Sequence, residues 1–199
     1  MEAYGNCGLI AIDIAGYGHP DRIEPVQAHL RAVLYRLLQT AIERCDVGFD
    51  ACMHKDQGDG VIVVLPPGVS MTVAAGQFVD EMHDGLRAHN QVSDVPAKLR
   101  LRVALHAGEI HADRYGLIGS AIVHLTRLLN AGEVKHVLAK SSAPMVVVAS
   151  GQLYHDVIRH GWDRVNPCEY APIEIQNKET TTRAWIRLPG ENAVACQYR

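Results

Sequence analysis

The sequence predicts an α+β fold, a ferredoxin-like βαββαβ core with additional α/β elements. The chain has 199 residues, of which 48% are hydrophobic and 21% charged, as expected for a globular protein with a sizeable core. Apolar runs of strand length alternate with amphipathic helical patterns in the order strand, helix, strand, strand, helix, strand. Further strands and a short helix follow, so we expect a single domain over residues 1–189 and a tail over residues 190–199.

The elements are predicted in chain order from hydrophobic periodicity and turn residues. Pro25 suits the first turn of a long helix, and Asp59-Gly60 suits a hairpin tip. The predicted core is a buried strand over 8–14, a helix from Glu24 to about Ile42, a hairpin of 49–53 with 61–65, a helix over 70–88, a strand over 99–105 that pairs back over 109–112, and a helix over 120–131. The predicted additions are a strand over 145–149, a helix over 150–160 and a β pair of 173–175 with 183–188. The helices are expected on one face of the sheet.

Charge and composition exclude several classes of function. A formal net charge of −3 argues against a main role in non-specific nucleic-acid binding. The five cysteines are scattered and never in C-x-x-C spacing, which predicts reduced thiols in a cytoplasmic protein. The sequence has no signal-peptide pattern and no apolar run near the roughly 20 residues of a membrane span, so we expect no membrane association.

Two acidic residues at predicted strand ends are the first candidates for chemistry. Asp59 lies between Gly58 and Gly60 at the hairpin tip, where glycine permits positive φ and the close approach of a ligand. Asp13 lies in a second apolar run and precedes a small-residue loop whose backbone N–H groups can receive an anion. Each segment alone also fits a plain turn, but the pair favours a metal or phosphate site.

Four motifs in the same order resemble the catalytic domains of class III nucleotidyl cyclases, the adenylate and guanylate cyclase type. The stretch from Leu9 to Tyr17 resembles the family pattern F-x-D-I-x-G-[FY], and Lys55 to Gly60 matches K-x-x-G-D. The stretch from Leu101 to Ile110 is similar to R-x-G-I-H-x-G-x-V, and Gly119 to Leu129 is similar to G-x-x-V-N-x-A-x-R-L. The resemblance covers nearly the whole chain.

The resemblance implies an enzyme that converts a nucleoside triphosphate to a 3′,5′-cyclic nucleotide and pyrophosphate. Two divalent ions, Mg²⁺ or Mn²⁺, would be held by Asp13, Ile14 and Asp59. Active sites in this family lie between subunits, so the resemblance also implies a homodimer. Short free-standing members include antiviral cyclases that make pyrimidine cyclic nucleotides, which leaves a role in antiviral defence open.

The family pattern assigns the substrate contacts residue by residue. It implies that Lys55 contacts the base and that Lys178, which precedes the last predicted strand, contacts the polyphosphate. Arg127 would stabilise charge that develops on the α-phosphoryl group, acting with Lys55 across the dimer. The β- and γ-phosphates would meet the backbone of the loop formed by Ala15, Gly16, Tyr17 and Gly18.

Two departures from the family pattern keep a second function open. The chain has Val123 where the family has its transition-state asparagine. His124, one residue on, offers a similar hydrogen bond, which valine does not. Gly116 stands where a second base-reading acid is expected, so the base stays open. The alternative is a degenerate, inactive cyclase-homology domain that binds nucleotide or a partner protein in signalling, and a third reading is another palm-type nucleotidyltransferase.

Overall fold

The computed structural model describes residues 2–191, with side chains from Gly5 onward, so most of the predicted tail lies outside the described residues. The strands are β1 (Glu2–Ile14), β2 (Met53–Asp56), β3 (Gly60–Val64), β4 (Leu101–Asp113), β5 (Gly116–Ile118), β6 (Met145–Ser150), β7 (Ala171–Asn177) and β8 (Thr180–Arg187). The α-helices are α1 (Glu24–Glu43), α2 (Met71–Val73), α3 (Val79–Val92), α4 (Ser120–Leu129), α5 (Gly132–Lys140) and α6 (Gly151–Asp156). A π-helical segment (Ala74–Phe78) joins α2 to α3.

The strands form one mixed sheet in the order β2-β3-β1-β4-β6-β8-β7, with β5 paired to β4. The first four positions, with α1 after β1 and α3 after β3, are the predicted βαββαβ core. β1 lies antiparallel to both β3 and β4, and its Asp13 pairs with Gly60 on one side and Arg102 on the other. The predicted α+β fold is therefore confirmed.

The helices cover both faces of the sheet, so the expectation of helices on one face is wrong. Ile10 and Ile12 of β1 pack in a core with α1, α3 and α6. Leu9 and Ala11 point the other way into a second core with α4 and α5. Successive residues of a strand face opposite sides, so a continuously apolar β1 needs cover on both.

Two predicted local features are also wrong. Residues 49–51 form a 3-10 turn instead of a strand, because the Ala51 amide bonds the Gly48 carbonyl at 3.0 Å. The predicted turn at residues 107–108 is absent, because β1 continues alongside β4 and pairs Cys7 with Gly108. Glycine is needed there, since a Cβ would lie 2.7 Å from the Cβ of Ala121 in α4. The return strand is β5 instead.

Within residues 2–191, no helix is both long and apolar enough to cross a membrane.

Candidate functional site

Asp13 is buried at the end of β1. Its Oδ2 accepts hydrogen bonds from Arg102 Nη2 at 2.5 Å and Nε at 3.2 Å. Its Oδ1 is also buried and has no hydrogen-bond partner among the described residues. Burial raises the pKa of the Asp13 carboxyl, Arg102 opposes the shift, and the neighbouring charge of Asp59 adds to it. One oxygen of this carboxylate is thus satisfied by the protein and the other is not.

Asp59 is half-buried at the tip of the β2–β3 hairpin, beside β1. The amide of Ile14 donates to the Asp59 carbonyl at 3.0 Å, which ties the tip to the end of β1. A Cβ at Gly60 would collide with the carbonyl oxygen of Ile12, so only glycine permits this approach. The fold therefore brings Asp13 and Asp59 together on adjacent strands.

This carboxylate pair fits a hard divalent cation that is shared with a phosphate ligand. Among residues 5–191, no three or more His, Cys, Asp or Glu side chains converge on a metal site. Mg²⁺ is characteristically held by one or two carboxylates together with substrate phosphates, so two suffice. The buried Asp13 Oδ1 is an acceptor that lacks a donor, which a cation would satisfy. The predicted backbone ligand, the Ile14 carbonyl, accepts a 3.3 Å bond from the Tyr17 amide.

The loop after β1 has only part of its predicted donors available. The Ala15 amide donates at 2.8 Å to the carbonyl that precedes β4, and the Tyr17 amide donates to Ile14. The amides of Gly16 and Gly18 have no acceptor within the described part of the chain. Gly16 has φ +69°, a conformation that favours glycine. Two of the four predicted phosphate donors are therefore accessible for an anion.

The lysine predicted to read the base lies next to the position that lacks the family's acid. Lys55 is exposed on β2, and its Nζ is 3.7 Å from where a Cβ on Gly116 would lie. These residues are far apart in sequence, but β5 brings Gly116 back towards the hairpin. The structure therefore places a single cation and a gap at this location.

His124 borders a cavity of about 650 Å³ beside α4, whereas Val123 is exposed. Across the cavity wall, the ring of His106 lies 4.9 Å from that of His124. His106 is buried, and its Nδ1 is 2.8 Å from the hydroxyl of Ser150, which accepts from the Leu153 amide at 3.1 Å. Burial, with the nearby His124, lowers the pKa of His106 to about 4, so its imidazole is neutral.

Arg127 is already paired in the structure. Its Nη2 lies 2.6 Å from Glu179 Oε2, and its Nη1 donates to the Thr180 hydroxyl at 2.6 Å. The Asn177 side chain in turn donates to the Arg127 carbonyl at 2.8 Å. Lys178 is exposed in the same β7–β8 turn, with φ +53°. The two predicted phosphate contacts on this side are thus brought together, with a carboxylate between them and any ligand charge.

One chain does not bring all the predicted residues together. The cavity beside His124 is lined by Asn6, seven positions before Asp13 on β1. At about 3.3 Å per residue, that is roughly 23 Å along the strand. Arg127 is held at the β7–β8 turn, and β8 is separated from β1 by β4 and β6. The carboxylates and the α4 residues therefore occupy different ends of one chain.

Sequence reasoning missed Arg102, the residue that holds Asp13. It occupies the arginine position of the R-x-G-I-H motif, which was the available signal. Its role depends on the β1–β4 register that sets Asp13 opposite Arg102, and the sequence alone does not give that register.

No protein-family model and no curated protein matches the sequence. Solved structures do match. A crystal structure described as an adenylate/guanylate cyclase/hydrolase from Silicibacter pomeroyi has a TM-score of 0.63 at 17% identity, covering 94% of this chain and 98% of the other.

Two fungal cyclase domains match similarly. The non-canonical dimeric guanylyl cyclase domain of the RhoGC fusion protein from Blastocladiella emersonii has a TM-score of 0.62 at 15% identity, with 94% and 98% coverage. The guanylate cyclase domain of RhGC from Catenaria anguillulae, in complex with GTP, has a TM-score of 0.62 at 14% identity, again with 94% and 98% coverage. The chain has the fold of adenylate and guanylate cyclase catalytic domains.

Proposed function

We propose that the chain is a nucleotidyl cyclase, which converts a nucleoside triphosphate to a 3′,5′-cyclic nucleotide and pyrophosphate. The observation that carries the proposal is the buried Asp13 Oδ1, which has no donor among the described residues and lies beside the Asp59 turn. Leaving such an acceptor unsatisfied costs about 1–3 kcal/mol, which a bound cation would remove. In this fold, that position is where a nucleotide-bound metal would serve catalysis.

Asp13 and Asp59 would hold Mg²⁺ or Mn²⁺, with the Ile14 carbonyl as a backbone ligand. When bound, two such ions supply Lewis-acid stabilisation of the charge on the attacking and leaving oxygens. Arg102 contributes by binding Oδ2 of Asp13, which favours the ionised carboxylate and fixes its plane.

The remaining residues of the proposed site bind and orient the nucleotide. The free amides of Gly16 and Gly18 would receive phosphate oxygens, as would Lys178. Lys55 would donate to the edge of the base beside Gly116. These contacts place the ribose 3′-oxygen near the α-phosphorus, where proximity contributes to the rate.

Arg127 would supply positive charge to the α-phosphoryl group during the displacement, after exchanging its pairing with Glu179. His124 is the nearby side chain that can donate a hydrogen bond, since Val123 has none to give. The burial of His124 and the neighbouring Arg127 lower the pKa of its imidazole, so it would act as a neutral donor.

The proposed site is shared between two copies of the chain. Asp13 lies at one end of β1, whereas Arg127 and His124 lie towards the other end of the sheet. In a two-fold dimer, the carboxylates of one copy can face the arginine of the second, and the arrangement closes on itself. Chemical cross-linking and light scattering at micromolar concentration test this, and a strict monomer with nucleotide present would contradict it.

A non-catalytic nucleotide-binding domain is the second candidate. It is favoured by the exposed Val123 and by the ion pair that occupies Arg127. Such a domain would bind a nucleoside triphosphate and form no cyclic product.

Incubation of the purified chain with each of the four common nucleoside triphosphates and Mn²⁺ separates the candidates. We expect a cyclic product, identified by chromatography and mass spectrometry, from at least one of them. Asp59→Asn should form none, whereas Asp84→Asn, an exposed acid on α3, should match the wild type. Tight nucleotide binding without product in the wild type would instead establish the non-catalytic candidate.

A further inference from the structure

A polar network at the end of β2 takes no part in the chemistry proposed above. Asp56 Oδ2 accepts hydrogen bonds from Arg31 Nη2 at 2.6 Å and from the Tyr35 hydroxyl at 2.7 Å. Its Oδ1 accepts from Arg31 Nη1 at 3.2 Å and from the Gly58 amide at 2.8 Å. Four donors thus converge on one carboxylate, and the bidentate guanidinium fixes its plane.

The same network reaches the turn that carries Asp59. Arg31 Nη1 also donates to the carbonyl of Gly58, so both polar groups of the Gly58 backbone are held. Gly58 has φ +87° and directly precedes Asp59. On the other side, the Ile14 amide holds the Asp59 carbonyl. The backbone of Asp59 is therefore fixed from α1 and from β1 at once.

The hairpin does not need this network in order to form. β2 and β3 pair over their whole length, and the Gln57 amide donates to the Gly60 carbonyl at 2.9 Å. The side chains of Arg31 and Asp56 are 34% and 48% exposed. Ion pairs with this exposure typically contribute less than about 1 kcal/mol to folding. The main effect of the network is thus on the freedom of the turn.

We propose that Arg31, Tyr35 and Asp56 form a clamp that positions the Asp59 carboxylate for a divalent cation. The inference rests on the proposed function, because Asp59 is a cation ligand only there. α1 packs in the core and gives the clamp a rigid base, so the turn is ordered before the cation arrives. Residues that orient a ligand side chain typically change metal affinity 10- to 100-fold when they are replaced.

Binding of Mn²⁺ alone, followed by electron paramagnetic resonance of the free ion, tests the clamp without any turnover. We expect Asp56→Asn and Arg31→Ala each to weaken Mn²⁺ binding by about 10-fold or more. Arg31→Lys keeps the charge but loses the bidentate geometry, so it should fall between wild type and Arg31→Ala. Arg44→Ala, which breaks the α1–α3 pair with Glu81, is the matched control and should bind as wild type does.

The outcomes separate the clamp from the site it serves. If Asp59→Asn binds Mn²⁺ as tightly as wild type, Asp59 is not a ligand and both proposals fail. If Asp59→Asn loses binding while Asp56→Asn and Arg31→Ala retain it, the clamp is overturned and the proposed function stands.

A second measurement guards against variants that merely unfold. Tyr35→Phe removes one hydroxyl and should leave the urea midpoint near the wild-type value. We expect faster amide hydrogen exchange at residues 58–60 in Tyr35→Phe and Asp56→Asn, with the core strands unchanged. Unchanged exchange at the turn in folded variants would contradict the clamp, whatever the Mn²⁺ affinity.

Discussion

The two ends of the sheet differ in how their polar groups are satisfied. At the Asp13 end, a buried carboxylate oxygen has no donor within the described residues. At the α4 end, Arg127 is paired with Glu179 and His106 with Ser150. The first end can bind a cation without giving anything up, whereas the second must exchange a partner when a ligand arrives. A shared site would therefore be limited by the α4 end.

The largest expected effect is the loss of a carboxylate at the open end. Asp59→Asn should lower cyclic product formation by more than about 100-fold, because a cation ligand is removed. The free energy of unfolding should change little, since a turn carboxylate contributes little to stability. Product assays and urea unfolding check both parts, and a variant with wild-type turnover would contradict the cation site.

Arg127→Ala tests the paired end. Turnover should fall on the order of 100-fold, because one transition-state donor is lost, while nucleotide affinity stays within several-fold. Arg183→Ala, an exposed arginine of β8 beside Glu174, is the control and should turn over normally. Equal losses in binding and turnover would indicate that Arg127 acts in the ground state alone.

The buried His106 predicts an acid-sensitive fold. Its pKa is about 4 when folded, against an ordinary 6.5, so the unfolded chain binds the proton more tightly. Stability from this residue is present above pH 6.5 and is lost as the pH falls towards 4. Between pH 7 and pH 5 the loss is on the order of 2 kcal/mol. Urea unfolding should show a smaller loss in His106→Gln, and identical losses would rule out this residue as the source.

The smallest expected effect concerns the partner that Arg127 must release. Glu179→Gln removes an exposed ion pair worth up to about 1 kcal/mol, so kcat/KM should rise up to about five-fold. Steady-state kinetics at low ionic strength measure this, and Glu174→Gln on β7 is the matched control. A fall in kcat/KM would mean that Glu179 holds Arg127 in a productive position.

The sequence predicted features that depend on local pattern. Asp13 and Asp59 were identified because each lies at the end of an apolar run beside glycine, and the order of elements followed from periodicity. Lys55 with Gly116, by contrast, was assigned by family resemblance, and the contact required β5 to fold back. No single-sequence rule brings residues so far apart into proximity.

The rest depends on register and on competition between local structures. Arg102 faces Asp13 only because β1 and β4 pair in one register, which periodicity leaves open. Arg31 and Tyr35 are spaced for one face of α1, but nothing nearby in sequence indicates that Asp56 is their partner. Phe49 favours a strand by residue type, yet the turn hydrogen bond after Gly48 prevails.

The gap beside Lys55 has a consequence for substrate engineering. Gly116 has φ +126°, which L side chains rarely adopt, so the space there is held open by the backbone itself. If the base lies against Lys55, a nucleotide analogue that is enlarged at the base edge would find room in this protein. The same analogue would clash in a cyclase with an acidic side chain at that position. The chain would thus offer an orthogonal enzyme–substrate pair without any redesign of its fold.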